Sequence, residues 1–489
     1  MKQIFGRTAL FFLGNLILRF IGLILLPVYA RYLSPDEYGI WGLSSSVGLF
    51  LNLMLPFGML MAVGRFYFDA QNESERATSL GVIFIFLVLF PLAALLLLEK
   101  FGTSLFMWIT PGVPYVPYMR LTSWATYFSI FSIIPLMVLR SREQAGKYLL
   151  LNLGQAILFH ALAIGLVVFG KWGVLGMLWG NLLSSVGFAI IYVYLTLHWY
   201  PPRFSFSRFI EIFRYSLPLV FHGMAGWILM FSDRLILEHW VSLAQVGIYS
   251  LGYTIGMIVQ NAADAATNAW FPAFYASRNS GENTGHATEV VTYILWGINA
   301  LTLLLTIGLH HVIGWMLPVA YRGVEPVVVW VALSGVFVQV YYILSYSIHY
   351  IKKTGYLAAI SWSSAIVNLM INFALIPKYG YIIAAVSTLI AYMVMAGLTF
   401  FIGNKLYPID YEYKRWGVLI ISTIIFSAVS VARPTFPVKL DFAYSLAALA
   451  GWQVTLSLFG FYSVRDKQFI KTLPGIFMNF VLKKSDKFS

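Results

Sequence analysis

The stretch Ser34-Pro-Asp-Glu-Tyr-Gly-Ile-Trp41 recurs in outline 208 residues later as Ser242-Leu-Ala-Gln-Val-Gly-Ile-Tyr249. Both copies follow the pattern Ser-x4-Gly-Ile-aromatic. Three further matches keep nearly the same spacing: Phe66-Tyr67 with Phe274-Tyr275, Tyr148 with Tyr356, and, at an offset of 207, Lys171-Trp172-Gly173 with Lys378-Tyr379-Gly380. Four matches in the same order indicate an internal duplication of the kind found in transport proteins.

Long apolar segments surround both copies of the motif. The chain has 489 residues, of which 60% are hydrophobic and only 10% are charged, and its mean hydropathy is +0.79. A soluble globular protein has about a quarter of its residues charged, whereas a helix needs roughly 20 apolar residues to cross the ~30 Å core of a bilayer. Fourteen such segments are predicted, at about 8–30, 40–64, 79–98, 118–139, 149–169, 173–197, 213–233, 246–272, 289–309, 324–347, 356–376, 380–402, 414–432 and 440–462.

The placement of the basic residues tests this count. With fourteen spans, one set of loops and both termini carry 22 of the 32 Lys and Arg residues, the opposite loops carry nine, and Arg19 lies inside a span. The positive-inside rule assigns the richer side to the cytoplasm, so both termini are predicted to be cytoplasmic. Topology therefore explains the net charge of +13, and no nucleic-acid partner is expected. The absence of cysteine excludes disulfides, thiolate catalysis and cysteine metal sites.

The repeat offset predicts how the spans are grouped. It covers six spans, an even number, so the two copies share one orientation and are related by a pseudo-two-fold axis along the membrane normal. The predicted fold is an all-α integral membrane protein with two six-helix lobes and two appended C-terminal helices. The first lobe covers residues 1–200, the second lobe 201–405, the thirteenth and fourteenth helices 406–462, and a basic cytoplasmic tail 463–489. Two similar lobes favour transport by rocking around a central cavity.

Arg19 is the charge that lies deepest in a predicted span. It falls 11 residues into the first apolar segment, roughly 17 Å along a helix that rises about 1.5 Å per residue. A charge near the bilayer centre costs at least about 2.5 kcal/mol, so Arg19 is expected to face protein or water. With Asn15 one turn earlier on the same helix face, it predicts a site for an anionic group such as a phosphate. A structural arginine paired with a carbonyl or an acid is the alternative.

A polar stripe marks the eighth segment. Gln260, Asp264 and Asn268 follow one another at every fourth position, with Asn261 beside them. A stripe of this kind in a spanning helix is expected to face the bundle interior or a cavity. There Asp264 would pair with an arginine, bind a coupling cation or carry a proton. Interhelical hydrogen bonding without a transport role is an equally open alternative.

Three smaller groups of polar residues lie in or beside the predicted spans. The tenth segment carries three candidate glycan contacts, Gln339, Tyr342 and Tyr346. Tyrosine is also common at membrane interfaces. The outer ends of the first, second and seventh segments carry four candidate gating charges, Asp36, Glu37, Asp233 and Arg234. The favoured interpretation is that these are solvated loop charges. On the eleventh segment, Asn368 and Asn372 are assigned to helix packing.

The segment Leu25-Leu-Pro-Val-Tyr-Ala-Arg-Tyr-Leu-Ser-Pro-Asp-Glu-Tyr-Gly-Ile-Trp41 resembles the opening of bacterial polysaccharide repeat-unit flippases. These form the Wzx-like branch of the multidrug/oligosaccharidyl-lipid/polysaccharide exporter superfamily. The span number and the six-plus-six duplication extend the resemblance to essentially the whole chain. It implies two lobes in the bacterial inner membrane, around a cavity that opens alternately to each side. It also implies a cargo, an undecaprenyl-diphosphate-linked oligosaccharide that moves to the outer leaflet during capsule, exopolysaccharide or O-antigen biosynthesis.

The resemblance also implies roles for residues and partners. Basic residues inside the first lobe of such relatives serve the lipid diphosphate, and Arg19 is the residue here at a matching depth. The repeat offset maps Arg19 to Trp227, so the second lobe has no corresponding charge. Membrane lipids and a polymerase or export complex are the expected partners, and neither a cofactor, a metal nor an enzymatic activity is expected.

Two other functions stay open. A multidrug exporter of the same fold would bind organic cations through acids and aromatic rings, which Asp264 and the tyrosines provide but Arg19 opposes. A membrane polymerase or ligase acting on lipid-linked glycans would need a large outer loop with catalytic residues. The longest predicted outer loop, 99–117, has Glu99 as its sole carboxylate, so this reading is the least favoured.

Overall fold

The computed structural model describes residues 14, 17, 21–279, 284–431, 438–463 and 466, and the described part of the chain is helical without strands. The first eight helices are α1 Ile21–Tyr32, α2 Pro35–Met54, α3 Met59–Asp69, α4 Glu73–Ile109, α5 Arg120–Ser129, α6 Ile133–Ser141, α7 Ala145–Ile164 and α8 Val174–Trp199. The others are α9 Phe206–Glu238, α10 Leu243–Asn279, α11 Thr284–Met316, α12 Val324–Tyr350, α13 Gly355–Tyr379, α14 Ile382–Leu406, α15 Tyr413–Val431 and α16 Val438–Leu458.

The helices agree with a chain that crosses the membrane many times. In the described residues, 11 segments are long and apolar enough to span a bilayer, and two of them join successive helices, α2 with α3 and α5 with α6. Helices α1, α10 and α16 add three further segments, so the described residues are roughly consistent with the predicted fourteen. Several boundaries differ from the predicted ones. In particular, α9 continues to Glu238, five residues past the predicted end of the seventh segment, so Asp233 and Arg234 are helical.

The serines of the duplicated motif begin the second helix of each copy. The Ser34 hydroxyl accepts a hydrogen bond from the Glu37 amide at 3.2 Å, and the Glu37 carboxylate accepts one from the Ser34 amide at 2.9 Å. In the second copy, Ser242 accepts from the Gln245 amide at 3.3 Å. A side-chain oxygen in this position satisfies a backbone donor that the first helical turn leaves free. The repeated sequence is therefore a repeated helix start.

Side-chain contacts connect loops that the predicted topology places on one side. At the end predicted to be cytoplasmic, Arg142 donates to Tyr67 at 3.4 Å and to Tyr200 at 2.9 Å, which joins three successive connections of that side. At the other end, the Tyr321 hydroxyl donates to the Leu33 carbonyl at 3.0 Å. The buried helix α12 packs against both α10 and α14, and α7 packs against α8.

Helix α9 contacts both halves of the chain. Its N-terminal part packs on α2, α3 and α4, where Phe213 stacks on Phe57 with ring centroids 5.1 Å apart. Its C-terminal part packs on α10, α13 and α14. In the middle, Trp227 donates to the Ser46 carbonyl at 3.0 Å and lies 4.8 Å from the Phe50 ring. The residue that the duplication aligns with Arg19 thus joins α9 to α2.

Helices α15 and α16 pack on α11, and polar contacts hold them there. The Trp416 indole donates to Thr292 at 2.9 Å, and the Trp452 indole donates to Ser422 at 3.0 Å. After α16 the chain returns to the N-terminal end of α15, where the Asp466 carboxylate accepts from Arg415 at 3.0 Å.

The Asp466 carboxyl lies in a polar contact outside the spans. Burial favours its neutral form, but hydrogen bonds from Tyr293 and from the Ser463 amide and hydroxyl, together with the charge of Arg415, hold its pKa below the ordinary value. Because the folded-state pKa is lowered, the contact stabilises the fold above the unfolded pKa of about 3.9. That stabilisation is lost as the pH falls through the lower, folded-state pKa.

Replacing Asp466 with Ala is expected to lower thermal stability in detergent at pH 7. The change leaves the half-buried Arg415 guanidinium with Glu412 as its remaining charged acceptor, and the lost charged hydrogen bond costs about 2 kcal/mol. Thermal unfolding of the purified protein measures the effect, with Asp410→Ala as the control because Asp410 is exposed. Equal melting temperatures for Asp466→Ala and the unmodified chain would contradict a stabilising contact.

Candidate functional site

A buried carboxylate connects four helices in the interior of the second half of the chain. Asp233 on α9 has no exposed surface. Its Oδ1 accepts from the Asn372 amide on α13 at 2.7 Å. Its Oδ2 accepts from the Tyr249 hydroxyl on α10 at 2.6 Å and from the Thr388 hydroxyl on α14 at 3.1 Å. A carboxylate is tolerated in a dry interior only when such donors replace water, so these three contacts allow Asp233 to be buried.

Asn368 and Ser387 extend this cluster. The Asn372 amide also donates to Asn368 Oδ1 at 3.2 Å, and the Asn368 amide donates to Ser387 Oγ at 3.1 Å. Ser387 in turn donates to Asn372 Oδ1. Asn368 and Ser387 therefore hold the Asn372 side chain in the orientation in which its amide donates to Asp233. The two asparagines thus do more than the helix packing assigned to them.

Arg234 is buried next to the cluster and is held by aromatic rings. Its side chain lies with Cζ 4.5 Å from the Tyr253 ring centroid and 5.6 Å from that of Tyr249. Its Nη1 donates to the Met230 carbonyl at 2.9 Å. Solvated loop charges were the favoured expectation for Asp233 and Arg234, and burial of both side chains shows that this expectation is wrong. The reason is that α9 continues past them.

Polar side chains continue from this cluster along one face of α10. The Gln260 amide donates to the Tyr392 hydroxyl at 3.3 Å, and Asp264 hydrogen bonds with Tyr342. Residues 249, 253, 260 and 264 recur at helical spacing, so this face extends roughly 22 Å along the helix at about 1.5 Å per residue. The predicted stripe is therefore connected to the tyrosines of α12 and α14.

The other predicted site residues lie in different surroundings. Tyr346 is fully buried, with its ring 5.2 Å from that of Phe274, and Gln339 is also buried. Asn261 is half-buried and Asn268 is exposed. The structure thus brings Tyr342 to Asp264, whereas Tyr346 packs in the core of the α10–α12 contact. Arg19 and Asn15 lie outside the described residues.

The four charges considered for gating do not meet one another in the part of the chain described. Asp36 is exposed, and Glu37 caps α2 and accepts from the Val174 amide of α8 at 3.2 Å. Asp233 and Arg234 contact α10, α13 and α14 instead. No hydrogen bond or ion pair between the two sets is found among these residues.

The Asp233 cluster has a defined chemical capacity. It places one carboxylate, two amide oxygens and three hydroxyl oxygens together in a dry interior, and these oxygen types suit a small hard cation. Protonation of Asp233 would neutralise the same carboxylate charge that a bound cation would balance. Among the described residues, no group of three or more His, Asp or Glu side chains has the geometry of a metal site. The sequence signal that could have located this cluster was the Asn368–Asn372 pair.

Comparison with solved structures identifies the fold. The lipid II flippase MurJ in an inward closed conformation aligns over 92% of this chain and 98% of its own, with a TM-score of 0.73 at 16% identity. An inward-facing multidrug resistance transporter of the MATE family, in the MOP superfamily, aligns over 79% of this chain and 94% of its own, with a TM-score of 0.64 at 17% identity. The chain therefore has the fold of this transporter superfamily, as predicted.

The family follows from the sequence. The model of the family described as "Polysaccharide biosynthesis protein" matches residues 7–278, more than half of the chain, which therefore belongs to that family. A probable low-salt glycan biosynthesis flippase, Agl15 of Haloferax volcanii, is 22% identical over 58% of this chain and 57% of its own length. The succinoglycan biosynthesis transport protein ExoT of Rhizobium meliloti is 24% identical over 63% of each chain. The chain thus spans less than two thirds of these curated relatives.

A double exchange tests the Asp233 contact with Asn372. Asp233→Asn is expected to destabilise the protein by about 2 kcal/mol, because the new NH2 group faces the Asn372 amide and leaves that buried donor without its acceptor. Adding Asn372→Asp restores one carboxylate and one amide in contact, so it should recover part of that loss. Thermal unfolding of both single variants and the double variant gives the coupling free energy.

Thr399→Val is the matched control for this cycle. Its hydroxyl is buried on α14, like that of Thr388, but donates to the Met395 carbonyl of its own helix at 2.7 Å. It should show no coupling to Asp233→Asn. Strictly additive losses for Asp233→Asn and Asn372→Asp would mean that the contact does not hold the helices together.

Proposed function

We propose that this chain is a flippase that moves lipid-linked oligosaccharides from the cytoplasmic to the outer leaflet. The observation that carries the proposal is the family match over residues 7–278. The matched region contains Arg19, a lone arginine in the middle of the first predicted span. The relatives named as a glycan flippase and a succinoglycan transport protein support the same reading, and the fold is shared with a lipid II flippase.

The cargo is proposed to be an undecaprenyl-diphosphate-linked oligosaccharide repeat unit. A diphosphate is costly to bring to the centre of the bilayer unless a cation meets it. Arg19, with Asn15 one turn away, would supply that cation and two parallel donors. The glycan would occupy the water-accessible cavity between the lobes, while the lipid tail stays in the bilayer. Rocking of residues 1–200 against 201–405 would then expose the glycan to the outer side.

The acidic side chains of the second lobe are proposed to couple this movement to an ion. Asp233 lies on α9 and Asp264 lies on the neighbouring helix α10. The polar face of α10 extends from Tyr249, which contacts Asp233, to Asp264. Binding and release of a proton or a small cation there would bias the lobes toward one conformation. The membrane potential would add about 2.3 kcal/mol per charge and 100 mV.

The setting of the activity follows from the orientation. Both termini are proposed to be cytoplasmic in a bacterial inner membrane, because the basic residues concentrate on that side. A polymerase or export complex is the proposed partner, since a repeat unit delivered to the outer leaflet has to be extended and exported.

Multidrug export is the alternative that the fold also allows, because a MATE-family structure aligns with the chain. It would use the acids and tyrosines of α10 and α12 for organic cations. Transport of ethidium by purified protein in vesicles, without movement of lipid-linked oligosaccharide, would favour it.

Arg19→Gln is expected to abolish flipping, and Arg19→Lys is expected to retain part of it. Glutamine keeps hydrogen bonding but has no charge for the diphosphate, whereas lysine keeps the charge without the planar fork. The assay uses proteoliposomes with a fluorescently labelled undecaprenyl-diphosphate oligosaccharide. The fraction of label that an impermeant quencher reaches over time reports its movement between leaflets.

Two controls make the Arg19 result interpretable. Arg31→Gln removes an exposed arginine that follows the same predicted span and should leave flipping intact. A labelled phospholipid without diphosphate should not move with the unmodified protein. Full flipping by Arg19→Gln, with normal insertion, would remove Arg19 from the mechanism.

A further inference from the structure

The two copies of the duplicated motif pack directly on each other. A Cβ atom placed on Gly39 of α2 would collide with the Leu243 carbonyl of α10, and it would lie 3.2 Å from the Gly247 amide. Conversely, a Cβ on Gly247 would collide with the Pro35 carbonyl and lie 2.8 Å from the Gly39 amide. Glycine is required at both positions because the two backbones approach too closely for a side chain.

This contact is reciprocal, as expected at a two-fold axis. At the repeat offset of 208, Gly39 corresponds to Gly247, and Pro35 corresponds to Leu243. One turn deeper, Gly42 faces Ser250, its own equivalent, and a Cβ on Gly42 would lie 2.8 Å from Ser250 Cβ. A surface that meets its own copy is an isologous interface. The pseudo-two-fold axis therefore passes between α2 and α10 at this point.

Further contacts surround the glycine crossing at the same end of the bundle. The Tyr321 hydroxyl donates to the Leu33 carbonyl at 3.0 Å, and the Tyr38 and Tyr321 rings meet edge to face. At the end of α9, buried Glu238 accepts a hydrogen bond from the Gly112 amide, and His239 Nε2 lies 3.2 Å from the Trp108 carbonyl. Each of these contacts joins a residue before position 200 to one after it.

We propose that the contact of Gly39 and Gly42 with Gly247 and Ser250 is the outer gate of the transporter, and that Glu238 on Gly112 latches it. This gate rests on the proposed flippase function and on the predicted orientation, which places both motif copies at the outer ends of their helices. A glycan emerging between the lobes has to pass this end. Apolar side chains of α2 and α10 pack beside the crossing. The described residues of the crossing itself form no ion pair, so its two backbones can separate without breaking one.

A disulfide across the crossing tests the gate. The chain has no cysteine of its own, so Gly42→Cys with Ser250→Cys introduces one defined pair. Their Cβ atoms are close enough to form a disulfide after a small shift. Oxidation is expected to stop flipping of the labelled undecaprenyl-diphosphate oligosaccharide, and reduction of the same sample is expected to restore it. Comparing oxidised with reduced protein removes any effect of misfolding.

The matched control pair lies inside one lobe. A Cβ on Gly180 of α8 would be 3.2 Å from Ala163 Cβ of α7 and 2.8 Å from the Ala163 backbone nitrogen. After a small backbone shift, Ala163→Cys with Gly180→Cys would form a disulfide that does not join the lobes. Oxidation of this pair should leave flipping unchanged. Unimpaired flipping by the oxidised Gly42/Ser250 pair would overturn the gate, and so would an equal loss with the control pair.

A second measurement needs no transport. Ser250→Cys is buried in the closed crossing, since Ser250 is 3% exposed, and an impermeant maleimide added outside should label it slowly. Gly39→Leu wedges the crossing open and should raise the labelling rate roughly tenfold by shifting the population. An unchanged labelling rate in the Gly39→Leu background would count against the gate. If the unmodified chain flipped no oligosaccharide, the proposed function would be wrong. The labelling rates would still test the gate, because they do not depend on transport.

Discussion

The interior of a bilayer offers no water, and this constraint governs the polar groups that the helices bury. A buried carboxylate has to find its donors within the chain. Asp233 finds three, from Asn372, Tyr249 and Thr388, on three different helices. The same requirement explains why Arg234 lies against aromatic rings and a backbone carbonyl. Helices α9, α10, α13 and α14 are therefore joined by polar contacts in a region otherwise packed by apolar side chains.

The two kinds of interhelical contact in this protein differ in how they resist separation. The helices around Asp233 cannot separate without leaving its carboxylate and the Asn368 and Asn372 amides without partners. The cluster therefore favours a rigid second lobe. The crossing at Gly39 and Gly247 depends on close backbone packing flanked by apolar side chains, and its separation breaks no ion pair among the residues described there. In the proposed cycle, rigidity inside each lobe and a separable contact between lobes are both needed, because rocking moves two bodies past each other.

Much of the fold was predictable from local patterns. Apolar length predicted the spans, and the Ser-x4-Gly motif coincides with two capped helix starts, at Ser34 and Ser242. The site was less predictable. The polar stripe of Gln260 and Asp264 was recognised from helical spacing. The partners of Asp233 were not, because Asn372 and Thr388 lie 139 and 155 residues away along the chain. The burial of Asp233 also depended on where α9 ends, which hydropathy does not fix to within a turn.

The sequence by itself determined that the chain is a duplicated, all-helical membrane protein, because hydropathy, charge bias and internal repetition are properties that need no partner. It also identified Arg19 as a charge at membrane depth. The tertiary structure alone decided which repeated residues meet and which buried acid is fully enclosed. Gly39 contacts Gly247 because α2 and α10 pack so that these two residues lie at the point where the helices cross. Such contacts depend on how whole helices pack, and no local sequence pattern encodes that geometry.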